Sequence, residues 1–193
     1  MKRFILLLLI NFIFSQKILI PMDFSQTDHL KSYGIAFWEL SNGKNIDWLL
    51  NYKGGSFLLD ESNTLTNQCI LRGVYFEKIS AAELTNIYSE IESHNMDIVL
   101  LEKTPKIAVY SPPDKQPWDD AVTLALTYAE VKYDVIFDDE ILNNELSDYD
   151  WLHLHHEDFT GQYGKFYKNY RNAKWYKNME YDFNVTAKKY GFQ

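Results

Sequence analysis

Cysteine is almost absent from this chain: of 193 residues, only Cys69 carries a thiol. No intramolecular disulfide can form, so the fold must rest on its core alone. The nucleotide signatures are missing as well. There is no Gly-x-Gly-x-x-Gly after a strand, no Gly-x-x-x-x-Gly-Lys-Ser/Thr and no Gly-x-Ser-x-Gly elbow. Basic charge is also scarce, with 19 Lys and Arg against 27 Asp and Glu and a net charge of -8. That balance argues against nucleic acid or an anionic surface as the main partner and leaves small molecules, peptides or glycans as ligands. Beyond the N-terminal segment, no run approaches the about 20 apolar residues of a membrane helix. No stable membrane span is therefore expected once that segment is removed.

The segment itself reads as a secretory signal over residues 1–15. Lys2 and Arg3 form the charged start, Phe4 to Phe14 the apolar stretch, and Ser15 the small residue before a cut at Gln16. Export to the periplasm, the cell envelope or the medium is the expected outcome. Losing Lys2 and Arg3 takes the formal charge from -8 to -10. With 46% hydrophobic and 16% aromatic residues, the rest of the chain can fill a sizeable core.

The pattern along the chain predicts two α/β halves, residues 16–103 and 106–193, joined at Glu102-Lys103-Thr104-Pro105. In the first, strands are expected at Lys17 to Ile20, Ile46 to Leu50, Ser56 to Leu59 and Val74 to Ile79, with a helix from about Thr27 to Leu40. Ser80 and Glu83 have capping-box spacing and open a helix to about Ser93. Cys69 stands before an expected strand with no His or acid beside it, as a small buried hydrophobe or, less simply, a nucleophile. In the second half, strands are expected at Lys106 to Tyr110, Tyr133 to Phe137 and Asp150 to His155. Pro117 is placed at the start of a helix with Asp119 and Asp120 in its first turn, where they would repel a phosphate. Short, wholly apolar strands between helices predict an open, mostly parallel sheet with helices on both faces. Faint echoes, such as Asp47-Trp48-Leu49 and Asp150-Trp151-Leu152, allow the halves to be related βα units, with chance similarity the alternative.

The densest chemistry lies in His153-Leu154-His155-His156-Glu157-Asp158, which holds three of five histidines. Ligands in open α/β sheets bind beyond the carboxyl ends of strands, which is where this cluster falls. His155, His156, Glu157 and Asp158 are the candidate catalytic or ligand-positioning residues. On an extended strand His153 and His155 share a face about 7 Å apart, so with Glu157 they form a candidate zinc set. The alternative is that the cluster only satisfies backbone groups and fixes a loop. Gly161, Gln162 and Tyr163 in the following loop, together with Trp118, are candidate ligand contacts, although a plain turn also fits. From Tyr163 to Phe183 eight aromatics alternate with Lys165, Lys168, Arg171, Lys174 and Lys177. A three-residue step spirals these charges around a helix, which favours an amphipathic helix over a nucleic-acid or glycan stripe.

Lys115-Gln116-Pro117-Trp118-Asp119-Asp120-Ala121, Trp151 to Gly164, Asp28 to Ala36 and Asn51 to Phe57 carry a resemblance. In these strings the chain resembles a family of exported Bacteroidetes proteins usually labelled asparagine synthetase B. The resemblance implies a class I glutamine amidotransferase-like architecture, a doubly wound sheet with a Cys nucleophile on a later strand-to-helix turn. Family members continue well past Gln193, so this chain is expected to be their N-terminal part, lacking that nucleophile. Classical asparagine synthetases use an N-terminal Cys and a Ser-Gly-Gly-x-Asp-Ser pyrophosphate loop. Here Lys2 follows Met1, and Lys53-Gly54-Gly55-Ser56-Phe57 lacks the closing Asp-Ser. ATP-dependent asparagine synthesis is therefore not expected, and no cofactor is required by the sequence. The leading expectation is an exported amide-, peptide- or sugar-handling domain. A metal-dependent hydrolase and a non-catalytic envelope binding module are the alternatives.

Overall fold

The computed structural model describes residues 16–111, 120–154 and 163–192. It divides into two compact units, Met1–Lys103 and Thr104–Gln193. The expected signal segment lies outside the described residues. Among those described, no helix is long and apolar enough to cross a membrane.

The first unit runs β1 (Lys17–Ile20), α1 (His29–Ser41), β2 (Ile46–Leu50), β3 (Ser56–Asp60), α2 (Asn63–Arg72), β4 (Glu77–Ile79), α3 (Ala81–Ser93) and β5 (Asp97–Leu101). Its helices start where side chains can replace missing backbone partners. The Asp28 carboxylate accepts from the Lys31 amide at 2.9 Å, the Ser62 hydroxyl accepts from the Leu65 amide, and Ser80 with Glu83 completes the capping box. At the far end of α2, Gly73 takes the left-handed conformation that a helix C-terminus favours.

The five strands lie in the order β4-β1-β3-β2-β5, and every neighbouring pair is antiparallel. This corrects the expected mostly parallel sheet and separates the two halves in kind. The misleading signal is physical. Apolar strands mark burial on both faces, which is usual for parallel sheets but is reached here by an antiparallel one. Ile18, Ile20, Phe57 and Leu59 project into one apolar cluster with Ile35 and Ala36 of α1 and Leu65 and Cys69 of α2. Leu19, Leu49 and Leu58 project the other way, against Ile87 and Ile91 of α3. Through β4 the connectivity is βαββαβ, with β3 between β1 and β2 and β1 between β3 and β4, a split βαβ arrangement. Cys69 falls on α2 and not before a strand, and burial pushes its thiol up to about 12.

The β2–β3 turn is the tightest place in this unit. Asn51, Lys53, Gly54 and Gly55 all have positive φ. A Cβ on Gly54 would stand 2.4 Å from the Met22 carbonyl oxygen, so only glycine lets the turn approach the end of β1. The Met22 amide donates to the Lys53 carbonyl across this contact at 2.9 Å, and the Lys53 ammonium donates to both Glu77 carboxylate oxygens at 2.9 Å.

The second unit runs β6 (Ile107–Tyr110), α4 (Ala121–Ala129), β7 (Asp134–Ile136), α5 (Asp138–Leu142), β8 (Trp151–Leu154), α6 (Tyr163–Tyr170) and α7 (Lys174–Lys189). Its sheet is parallel in the order β7-β6-β8. Central β6 is buried at Ile107, Ala108 and Val109, while Val135 of β7 and Trp151 of β8 are 47% and 42% exposed. The aromatic segment forms two helices and not one, with the chain turning at Ala173, whose amide donates to the Tyr170 carbonyl at 2.8 Å. Tyr167 packs edge-on to the buried Tyr176, and Tyr170 lies against Trp175, so part of this aromatic content joins α6 to α7.

Candidate functional site

The parallel sheet of the second unit dictates where a site can form. From β6 the chain passes through α4 to β7 on one side, then crosses to β8 on the other. Central β6 and its neighbour β8 run parallel, so their carboxyl ends lie side by side. In open α/β sheets ligands bind beyond the carboxyl ends of the strands.

Two side chains meet there from different elements. His153 lies on β8 opposite Val109 of β6, one residue before the strand ends. Asp120 is the N-cap of α4, and its Oδ1 accepts from the Val122 amide at 2.8 Å and the Thr123 amide at 2.9 Å. His153 Nε2–H donates to the same oxygen at 3.0 Å. The side chains are only 18% and 10% exposed, so the pair is largely shielded from water. Three donors thus converge on one carboxylate oxygen, and the helix start that satisfies its own amides also fixes the imidazole. With Nε2 protonated, Nδ1 keeps its lone pair and can accept a proton or bind an electrophile.

Around this pair the strand ends are tightly tied. Ser111, directly after β6, is fully buried and its amide donates to the Ile136 carbonyl at 3.0 Å. Thr123 Oγ1 donates to the Asp120 carbonyl at 3.0 Å. The Tyr110 hydroxyl donates to Asp138 at 2.6 Å, and its ring stacks on Phe137 with centroids 5.1 Å apart.

Of the residues singled out in the sequence, His153 is placed in this pair. Trp118, His155, His156, Glu157, Asp158, Gly161 and Gln162 lie outside the described residues, and Tyr163 is described only as the first residue of α6. The zinc set of His153, His155 and Glu157 therefore has one described member. Among the described residues no group of three or more His, Cys, Asp or Glu could hold a metal ion. Sequence reading took Asp120 as a helix-start charge and passed over its partnership with His153. An acid at the start of the helix after one strand and a histidine at the end of another was the available signal, but it becomes meaningful only when the strands are known to be neighbours.

The first unit has its own polar cluster around the Gly54 turn, and its contacts are those of a fastening. His29 Nε2–H is shared between the Met22 and Asp23 carbonyls at 3.1 and 3.2 Å, and buried Gln26 spans the Pro21 and Tyr75 backbone. Lys53-Gly54-Gly55 is a hairpin turn leading into β3, not the lead of a helix, so it lacks the setting of a phosphate loop.

No protein-family model, curated protein or solved structure matches this chain significantly.

Proposed function

We propose that the second unit handles a small amide, peptide or sugar-derived ligand beyond the carboxyl ends of β6 and β8, on a doubly wound, glutamine amidotransferase-like arrangement. One observation carries the reading: Asp120 and His153 are joined at 3.0 Å near the carboxyl ends of the adjacent parallel strands β6 and β8. The Asp120 carboxylate orients the imidazole and supports positive charge on it when Nδ1 takes a proton, the role of the acid in an acid–histidine couple. ATP-dependent asparagine synthesis is not part of the proposal. The resemblance to exported proteins and the net charge of -8 point to an uncharged or cationic ligand met outside the cytoplasm.

The test is a thermal-shift and NMR titration of the full chain with glutamine, asparagine, short peptides and amino sugars. A hit whose affinity falls at least about tenfold in His153→Ala, while Lys53→Met leaves it unchanged, supports the site. A hit indifferent to His153→Ala, or shifts confined to the first unit, would remove it.

The metal-dependent hydrolase keeps one observation in its favour. A histidine whose one ring nitrogen donates to a carboxylate is the usual setting of a metal-bound imidazole, and His153 has that partner in Asp120. His155 and Glu157 would complete the zinc set. Native protein containing substoichiometric zinc, with activity untouched by chelator, would eliminate this reading.

A further inference from the structure

The two edges of the five-stranded sheet are built differently, and the difference points to a partner. At one edge, β4 has only three residues, of which Glu77 and Lys78 are charged. Both are held in ion pairs, Glu77 with Lys53 at 2.9 Å and Lys78 with Glu61. Shortness and charge are the usual means of stopping an edge from recruiting another strand. At the other edge, β5 pairs with β2 over all five residues Asp97 to Leu101, and among the described residues it has no second strand neighbour. Its last four residues, Ile98-Val99-Leu100-Leu101, contain no charge, proline or glycine. Ile98, Val99 and Leu100 are 37%, 36% and 53% exposed. Apart from Asp97 at its start, whose Oδ1 accepts from the Ile98 amide at 2.8 Å, β5 has neither the shortness nor the charge of β4.

We propose that β5 is a self-association edge, at which two copies of this chain pair their β5 strands antiparallel about a two-fold axis at Val99. The strand is complementary to itself in that register. Ile98 comes opposite Leu100 of the second copy, Val99 opposite Val99, and Asp97 opposite Leu101, so no like charges face each other. A two-fold axis at Asp97 would set carboxylate against carboxylate. The apolar layers also continue across the join. Val99 lies beside Trp48 and Leu101 beside Ile46, on the face packed by α1 and α2, whereas Ile98 lies beside Leu49, on the face packed by α3. Each layer meets its own counterpart in the second copy, giving one ten-stranded sheet. The contact is isologous and closes on itself, so it yields a dimer and not a fibre. This inference is independent of the site at His153.

The experiment is sedimentation equilibrium of the full chain from micromolar to near-millimolar concentration, with Val99→Lys and Leu100→Lys measured alongside. A monomer–dimer equilibrium weakened at least about tenfold by each lysine is expected, since Val99→Lys sets like charges face to face and both place a charge in the strand pairing. Monomer throughout the range overturns the proposal, and so does a dimer that neither substitution weakens. Should Val99→Lys fail to fold by circular dichroism, Leu100→Lys decides, because its side chain is already half exposed. The register has its own test in oxidative cross-linking. Val99→Cys should form a disulfide-linked dimer with itself and Ile98→Cys should not, while Cys69 is fully buried and stays silent. The reverse pattern overturns the two-fold axis at Val99.

Discussion

The two units make opposite use of similar strands. In the first, Ile18, Leu19, Ile20, Leu58 and Leu59 are all but inaccessible, because α1 and α2 cover one face of the sheet and α3 the other. In the second, β6 is buried at Ile107, Ala108 and Val109, while its flanking strands keep half-exposed residues such as Val135 and Trp151. The first unit spends its polar groups fastening one turn. The second brings an acid and a histidine together at its strand ends. The tightest packing and the acid–histidine pair thus lie in different units, and substitutions can test that separation.

The largest expected effect is at the centre of the first sheet. Leu58→Ala should cost about 2–5 kcal/mol by urea denaturation, whereas Val135→Ala should cost under about 1 kcal/mol. Equal costs would break the contrast. Next comes Gly54→Ala, where the left-handed backbone alone costs about 1–3 kcal/mol and the approach to the Met22 carbonyl adds to it. An unchanged midpoint would show that the turn can move away from β1. Asp120→Ala should lower stability by about 1–2 kcal/mol through the lost helix cap, while Asp120→Asn keeps most of it because an amide oxygen can still cap. Nitrogen NMR should then show His153 released from its single tautomer in the alanine variant. A His153 signal unchanged between the two would deny the carboxylate its orienting role.

The smallest effect is one of pH. Burial raises the Cys69 thiol to about 12, above its unfolded value, so the stability it contributes is complete below about pH 9 and is lost as pH climbs through 12. A Cys69→Ala variant should lose stability less steeply across that alkaline window. At pH 8 the native thiol should stay inert to a thiol reagent until the chain unfolds. Rapid labelling under native conditions would mean that the core of the first unit opens more readily than its packing implies.

Much of the local structure was legible because it depends on neighbours in sequence. Ser80 with Glu83 marks a helix start, and Lys17 to Ile20 and Ile46 to Leu50 are strands as read. Strand direction was not legible. Ile-Leu-Ile looks the same in a parallel and an antiparallel sheet when both faces are covered, and the short Asn51–Gly55 turn was the better guide, since so short a link joins only antiparallel strands. Three elements were missed for lack of contrast. Asn63–Arg72 buries only Leu65 and Cys69 and so shows little helical periodicity, Asp97–Leu101 follows α3 after only His94, Asn95 and Met96 with no Gly or Pro between, and Asp138–Leu142 is too short to show a period. At the site, His153 stood out by its company in sequence, whereas Asp120 gains meaning only from a neighbour thirty-three residues away.

The position of β1 has a consequence in time. The first described strand to leave the ribosome sits inside the sheet, and its partners are Ser56–Asp60 and Glu77–Ile79. At a synthesis rate of about 5–20 residues per second, β1 waits several seconds for the first of them and longer for the second. Pairings that span such loops also form slowly once the chain is complete. Ile18, Leu19 and Ile20 are among the least accessible residues of the finished protein, yet they stay uncovered longest during its synthesis.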